Sequence, residues 1–160
     1  MRARTFIALA SLCAVAAACE NDPVSPGCVD RTSTVASTRG DTVTTSTGLR
    51  YINLKAGTGA AASSCARVGI HYTLYLNNVV LDSLRDPRFA YPVIPGERPQ
   101  ASIEGVAEGV LGLQVGAVRR LIIPPALGYG PTDRKDAQGR VVVPANSTLI
   151  FDLEVLQIEQ

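Results

Sequence analysis

Residues 102–130, SIEGVAEGVLGLQVGAVRRLIIPPALGYG, constrain the fold more than any other stretch of the chain. Ile103, Val106, Ala107, Val110 and Leu111 recur at i, i+3, i+4, i+7 and i+8, which places them on one face of a short helix. Ser102 stands where an N-cap belongs, and Gly112 where the chain would leave the helix. Gly105 and Gly109 each cost a helix about 1 kcal/mol relative to Ala, so this one needs a sheet to pack against. Val118 to Ile123 reads as a strand, and Pro124-Pro125 must end it because proline cannot donate to a ladder. Tyr129, between Gly128 and Gly130, then enters a loop that glycine allows to bend sharply. Helix, strand and aromatic loop together predict an apolar cup.

The amino-terminal part reads differently. Residues 1–18 combine arginines, an apolar run and small residues, the pattern of a signal peptide, and lie outside fold reasoning. The apolar run is too short for a comfortable transmembrane helix. Ala16-Ala17-Ala18-Cys19 resembles a bacterial lipobox, which predicts lipidation of Cys19 after cleavage. The alternative is ordinary cleavage after Ala18 and secretion. Of the four cysteines, Cys28 and Cys65 then remain as an even pair in an oxidising compartment, so one disulfide is expected, with two free thiols as the alternative. Residues 19–47, rich in Ser, Thr and Pro, read as the lipid-attachment cysteine and a flexible tether, with an edge strand near Thr42–Thr45.

From Gly48 to Gln160 the pattern is that of a folded domain. Leu49–Lys55 alternates weakly and runs into Gly57-Thr58-Gly59, which is a turn and not a dinucleotide loop, because no helix-length segment follows. Val68, Ile70, Tyr72, Leu74 and Leu76 alternate cleanly, with His71, Thr73 and Tyr75 on the opposite face. Asn77-Asn78 suits a two-residue hairpin turn, since asparagine tolerates positive φ. Val79–Ser83 returns. Residues 84–101 read as a loop in which Phe89 and Tyr91 share one face of a short extended piece, and 131–140 as a polar, exposed loop. Leu149, Phe151, Leu153 and Val155 alternate through a closing strand. Strands, one short helix and more strands predict an α+β domain built on an antiparallel sheet.

Several function classes are excluded. A net charge of +1 offers no field to recruit nucleic acid, and a single histidine excludes a multi-histidine metal site. No phosphate loop, zinc spacing or serine-nucleophile elbow occurs, so neither metal nor cofactor is expected.

HYTLYL at 71–76, LDSLRD at 81–86, the helix-to-tyrosine segment at 103–130 and VVVPANSTLIFDLEVLQIE at 141–159 together resemble the FKBP-type peptidyl-prolyl cis/trans isomerases. The resemblance covers about Gly48 to Gln160. It implies a twisted antiparallel sheet wrapped around one short helix, with a prolyl ring bound between them. Residue by residue, Tyr72 takes the place of the tyrosine of the family's HYTG-type strand, and Leu81 and Asp82 that of a Phe-Asp pair. Phe89 and Tyr91 stand for the two aromatics of the following element. Ser102 and Ile103 replace a Val-Ile pair, whose second backbone N–H holds a ligand carbonyl. Val106 replaces a pocket-floor tryptophan, Val142 and Val143 match two isoleucines before a proline, and Tyr129 and Phe151 keep their aromatic character. The floor is therefore expected to be apolar but wider than the family's.

Through that resemblance, Tyr72, Asp82, Phe89, Ile103, Val106, Tyr129 and Phe151 become the expected catalytic set. Leu81, Tyr91, Ser102, Val142 and Val143 are expected to contact substrate. The expected partners are proline-containing unfolded or exported polypeptides and macrolide-type ligands, with a membrane reached through the lipid anchor. A monomer is expected, exported and held at the cell envelope, facing the periplasm. The alternative, from another class, is a non-catalytic chaperone or peptide-binding module on the same fold.

Overall fold

The computed structural model describes residues 40–95 and 102–159. Six strands form a continuous antiparallel array: β1 (Thr42–Thr44), β2 (Arg50–Lys55), β3 (Arg67–Leu76), β4 (Val79–Leu84), β6 (Val118–Ile123) and β9 (Leu149–Glu159) lie in the order β1-β2-β6-β9-β3-β4. A seventh strand, β5 (Tyr91–Val93), pairs with the first part of β3, so β4 and β5 share the same edge in two pieces. A two-residue β7 (Arg134–Lys135) and β8 (Val141–Val143) make a separate ribbon. β1 is the edge strand expected near Thr42–Thr45, and it pairs with β2.

Turn chemistry sets the β3–β4 hairpin. Asn77 and Asn78 adopt φ of 50° and 64°, the paired left-handed geometry of a type I′ turn. On the other edge of the core, β6 alternates cleanly: Arg119, Leu121 and Ile123 are buried, while Val118, Arg120 and Ile122 are only half-buried. On the outer face Arg120 forms a two-pronged pair with Asp152, its cross-strand partner on β9, at 2.6 and 2.7 Å.

The helix, α1 (Glu104–Gly109), is shorter than the apolar spacing predicts. Ile103 occupies the N-cap position in extended conformation, and no side chain caps the first turn; Ser102 does not serve as the cap. At the far end Val110 is the C-cap, and the chain turns away at Gly112 with φ 72°. Gly105 and Gly109 are explained by proximity. A Cβ on Gly105 would lie 2.5 Å from Ile123 Cγ2, and one on Gly109 would collide with Leu121, so α1 rests directly on β6. Val106, Ala107 and Val110 complete that contact and join Leu49, Val68, Ile70, Leu121, Ile123, Leu149 and Leu153 in the core.

Arg119 faces the same core. Its Nη1 donates to the carbonyls of Gly109 (2.8 Å) and Leu111 (3.3 Å), its Nε to Asn53 Oδ1 (2.7 Å), and its guanidinium lies 4.1 Å from the centre of the Tyr51 ring. A cation thus satisfies carbonyls at the negative end of the helix, which otherwise lack intrahelical partners. Burial pushes its pKa down to about 10, still charged at neutral pH.

The polar 131–140 loop departs from expectation, whereas the GTG turn does not. The 131–140 segment contains β7 and is tied down by Asp136, which pairs with Arg140 at 2.7 Å and accepts the Gln138 and Arg140 N–H groups. The GTG segment is a turn, as read: Thr58 bridges to Val115, and Ala62 donates to the Leu113 carbonyl at 2.7 Å. Among the described residues no helix is long and apolar enough to cross a membrane.

Candidate active site

Between α1 and the face of the sheet lies a cleft of about 460 Å³. Its wall is aromatic. Tyr72, from the middle of β3, meets the Tyr91 ring edge-on at 5.6 Å and the Phe151 ring, tilted, at 5.9 Å. The strand pairings bring them together, since Leu74 is opposite Phe151 on β9 and Ile70 is opposite Tyr91 on β5, each within one pleat of Tyr72. Ile70, Leu74, Ile103 and Val106 supply the apolar floor. Val106 is 3% exposed and is held by the helix–β6 contact, so the floor is fixed by the fold.

Polar groups stand at the rim. The Tyr72 hydroxyl donates to Asp82 Oδ2 at 2.7 Å, and the Ser83 N–H donates to Asp82 Oδ1 at 2.8 Å. Burial first, and the Asp82 carboxylate second, push the Tyr72 phenol well above the ordinary value of 10.0. Asp82 thus orients Tyr72 and not an arginine: Arg85 donates to Thr73 Oγ1, and Arg88 pairs with Asp86. Across the cleft, Tyr129 follows a single 3-10 turn (Pro125–Leu127), and Gly130 N–H donates back to the Pro125 carbonyl at 2.9 Å. Among the described residues the Tyr129 hydroxyl and the Ile103 N–H have no hydrogen-bond partner.

Tyr72, Asp82, Tyr91, Ser102, Ile103, Val106, Tyr129 and Phe151 therefore line one cleft. Four expected members do not. Phe89 is 59% exposed and lies outside the cleft. Its N–H donates to the Asp86 carbonyl in a turn, which breaks the extended run that would have kept it in phase with Tyr91. There the Arg88 guanidinium stacks 5.5 Å from its ring centre, and His71 Nε2 bridges the Asp86 and Phe89 carbonyls. Leu81 falls at a register shift, between the Leu74–Asp82 and Tyr75–Val80 pairs, and is exposed outside the cleft. Val143 packs into the core, and its neighbour Val142 faces solvent.

Arg134 lines the cleft although the sequence reading left it in an exposed loop. Its guanidinium lies 4.9 Å from the centre of the Tyr129 ring. The signal for it was Val141-Val142-Val143, whose partner strand had to fall within the preceding polar residues. Cys65 is disulfide-bonded. Its expected partner Cys28 lies outside the described residues, as does Cys19.

A small helix set on an antiparallel sheet, with an aromatic-walled cleft between them, defines a binding fold for a compact apolar group held by a few polar contacts. The profile of the FKBP-type peptidyl-prolyl cis-trans isomerase domain matches residues 59–156, and the chain belongs to that family. The chloroplastic peptidyl-prolyl cis-trans isomerase FKBP16-4 of Arabidopsis thaliana is 32% identical over 127 residues, covering 75% of this chain and 52% of the relative. FK506-binding protein 3 of Candida albicans is 39% identical over 107 residues, covering 66% of this chain and 23% of the relative. The chain thus spans about half or less of the length of these relatives. The crystal structure of AtFKBP13 superimposes with a TM-score of 0.63 at 26% identity, covering 73% of this chain and 98% of that one.

Proposed function

We propose that the domain is a peptidyl-prolyl cis/trans isomerase acting on exported proteins as they fold. The observation that carries this reading is the cleft itself, where three aromatic rings and an apolar floor adjoin the Ile103 N–H and the Tyr129 hydroxyl, two donors without partners among the described residues. An X–Pro bond isomerises in tens to hundreds of seconds unaided, because twisting it sacrifices amide resonance. The twisted amide is less polar than the planar one, so a water-poor apolar site stabilises it relative to the ground state. Tyr72, Tyr91, Phe151, Ile103 and Val106 enclose the ring. The Ile103 N–H and the Tyr129 hydroxyl hold flanking carbonyls, while Asp82 fixes the orientation of Tyr72. No proton is transferred and no general base is required.

In the same reading residues 1–18 direct export, Cys19 carries lipid, residues 19–47 tether the domain at the cell envelope on its periplasmic side, and Cys28 bonds Cys65. The domain acts as a monomer on proline-containing chains, and macrolide-type ligands compete for the cleft. Val106, where the family has tryptophan, favours a second reading as a binding-only module, because a wider floor holds the prolyl ring less firmly.

The test is the isomerisation rate of short X-Pro peptides, with the soluble domain beside Tyr129→Ala. Acceleration that drops about tenfold or more in a variant with unchanged circular dichroism supports the isomerase. No acceleration by a folded domain that still binds the peptides overturns it in favour of the binding module.

A further inference from the structure

Arg134 is a charged side chain built into the cleft wall. Its strand β7 is locked to β8 by the Arg134–Val143 pairing, and the ribbon is closed by the Asp136–Arg140 ion pair. Asp133 beside it accepts the Ala145 N–H at 2.7 Å, which ties the base of the ribbon. Its guanidinium carbon lies over the ring of Tyr129, the cleft residue expected to touch substrate. Among the described residues Arg134 has no carboxylate partner and donates no hydrogen bond.

Among the described residues the other charges nearby are accounted for. Asp82, the one carboxylate lining the cleft among the described residues, has both oxygens occupied by the Tyr72 hydroxyl and the Ser83 N–H. Arg140 is held by Asp136, and Lys135 is exposed and does not line the cleft. The cleft therefore pairs a satisfied anion on one side with an unsatisfied, oriented guanidinium on the other. A planar guanidinium whose face is stacked still offers its edge as a fork for a carboxylate.

We propose that Arg134 is a specificity-determining residue that makes the cleft favour prolyl segments with an Asp or Glu flanking the proline. This rests on the cleft binding proline, as argued above. Coulomb attraction to the flanking carboxylate adds to the ring's burial, while Asp82 on the far side opposes a carboxylate placed there. The preference therefore depends on which flank carries the acid. Because Arg134 is solvent-exposed, the gain is that of a surface pair, about two- to fivefold, and salt screens it.

The experiment uses acetylated, amidated peptides in which the residue before or after proline is Glu, Gln, Lys or Leu, so that no other carboxylate is present. Isomerisation rate and peptide Kd are measured for the wild type, Arg134→Gln and Arg134→Glu. At low salt the wild type should favour Glu over Gln by about threefold at one flank, and this should collapse toward unity in about 1 M salt. Arg134→Gln should abolish that ratio, and Arg134→Glu should reverse it in favour of Lys. A Glu-to-Gln ratio identical in wild type and Arg134→Gln at both flanks overturns the assignment, whatever the absolute rates. If no peptide is accelerated but the Kd values keep the charge preference, the isomerase reading fails and the role of Arg134 stands. If no peptide binds, both fail.

Discussion

The Tyr72 hydroxyl and the Asp82 carboxylate are where single residues set the character of the cleft. The phenol is half-buried against two other rings, and its proton is held by a carboxylate, so ionising it would place two negative charges side by side. Its pKa is raised in the folded state by that burial and by Asp82, and its contribution to stability is therefore complete below the unfolded value near 10. That contribution is lost as pH climbs past this point. Urea denaturation of the wild type and Tyr72→Phe from pH 8 to 11 should show the wild type losing stability more steeply above about pH 10. Parallel curves would show that the phenol is not held protonated. Strand alternation placed Tyr72 and Phe151 on strand faces, and the family resemblance gave them and Asp82 their place in the site. The place of Phe89 was not legible, because a turn bonded between Asp86 and Phe89 resets the phase, and turn hydrogen bonds leave little trace in a composition pattern. Val142 and Val143 were assigned to substrate as a pair, yet Val143 is buried in the core while Val142 is exposed at a register shift between β7 and β8.

At the scale of elements, α1 survives with two glycines because β6 lies against them. Replacing Gly109 by Ala sets two effects in opposition. Helix propensity gains about 1 kcal/mol, while the new methyl meets Leu121, which is fully buried and has nowhere to move. Overpacking of this kind costs about 1–3 kcal/mol or more, so Gly109→Ala should destabilise by about 1–2 kcal/mol in a denaturant titration. Adding Leu121→Val should recover part of the loss, a coupling that two independent sites would not show. The helix itself could be read from spacing, and the β3–β4 hairpin from Asn77-Asn78. The edge strand β1 could also be read, but β5 and β7 could not. β5 and β7 have three and two residues, too few for a period to register, and each exists because a longer or more apolar partner needs pairing. Arg119 looked like any strand arginine, although alternation with Leu121 and Ile123 already placed it on the buried side.

For the molecule as a whole, the decisive feature is the position of β9. It is the last strand of the sheet in chain order, yet it lies between β6 and β3 and pairs with both along most of its length. Leu149, Phe151, Leu153 and Val155 on it are all buried. Burying each is worth about 1.5–3 kcal/mol, and together they are comparable with the whole stability of a typical domain, about 5–15 kcal/mol. A chain truncated before Leu149 should therefore show no cooperative unfolding transition. Added synthetic peptide 149–159 should restore the β-sheet circular dichroism signal with saturable dependence on concentration. A truncated chain that unfolds cooperatively on its own would place the core elsewhere. The α+β class and the strand succession were apparent from alternation and from the resemblance, but pairing order joins residues far apart in sequence, and no local pattern encodes it.

The central place of β9 has a consequence for timing. A domain whose early strands paired with one another could set in stages while the rest of the chain was still being made. Here β3 and β6 meet only through a strand made after both, so the two halves of the sheet stay apart until it arrives. A nascent chain would keep this sheet open until its central strand had been made. It would then shut in a single late event, like a zip whose slider is fitted last.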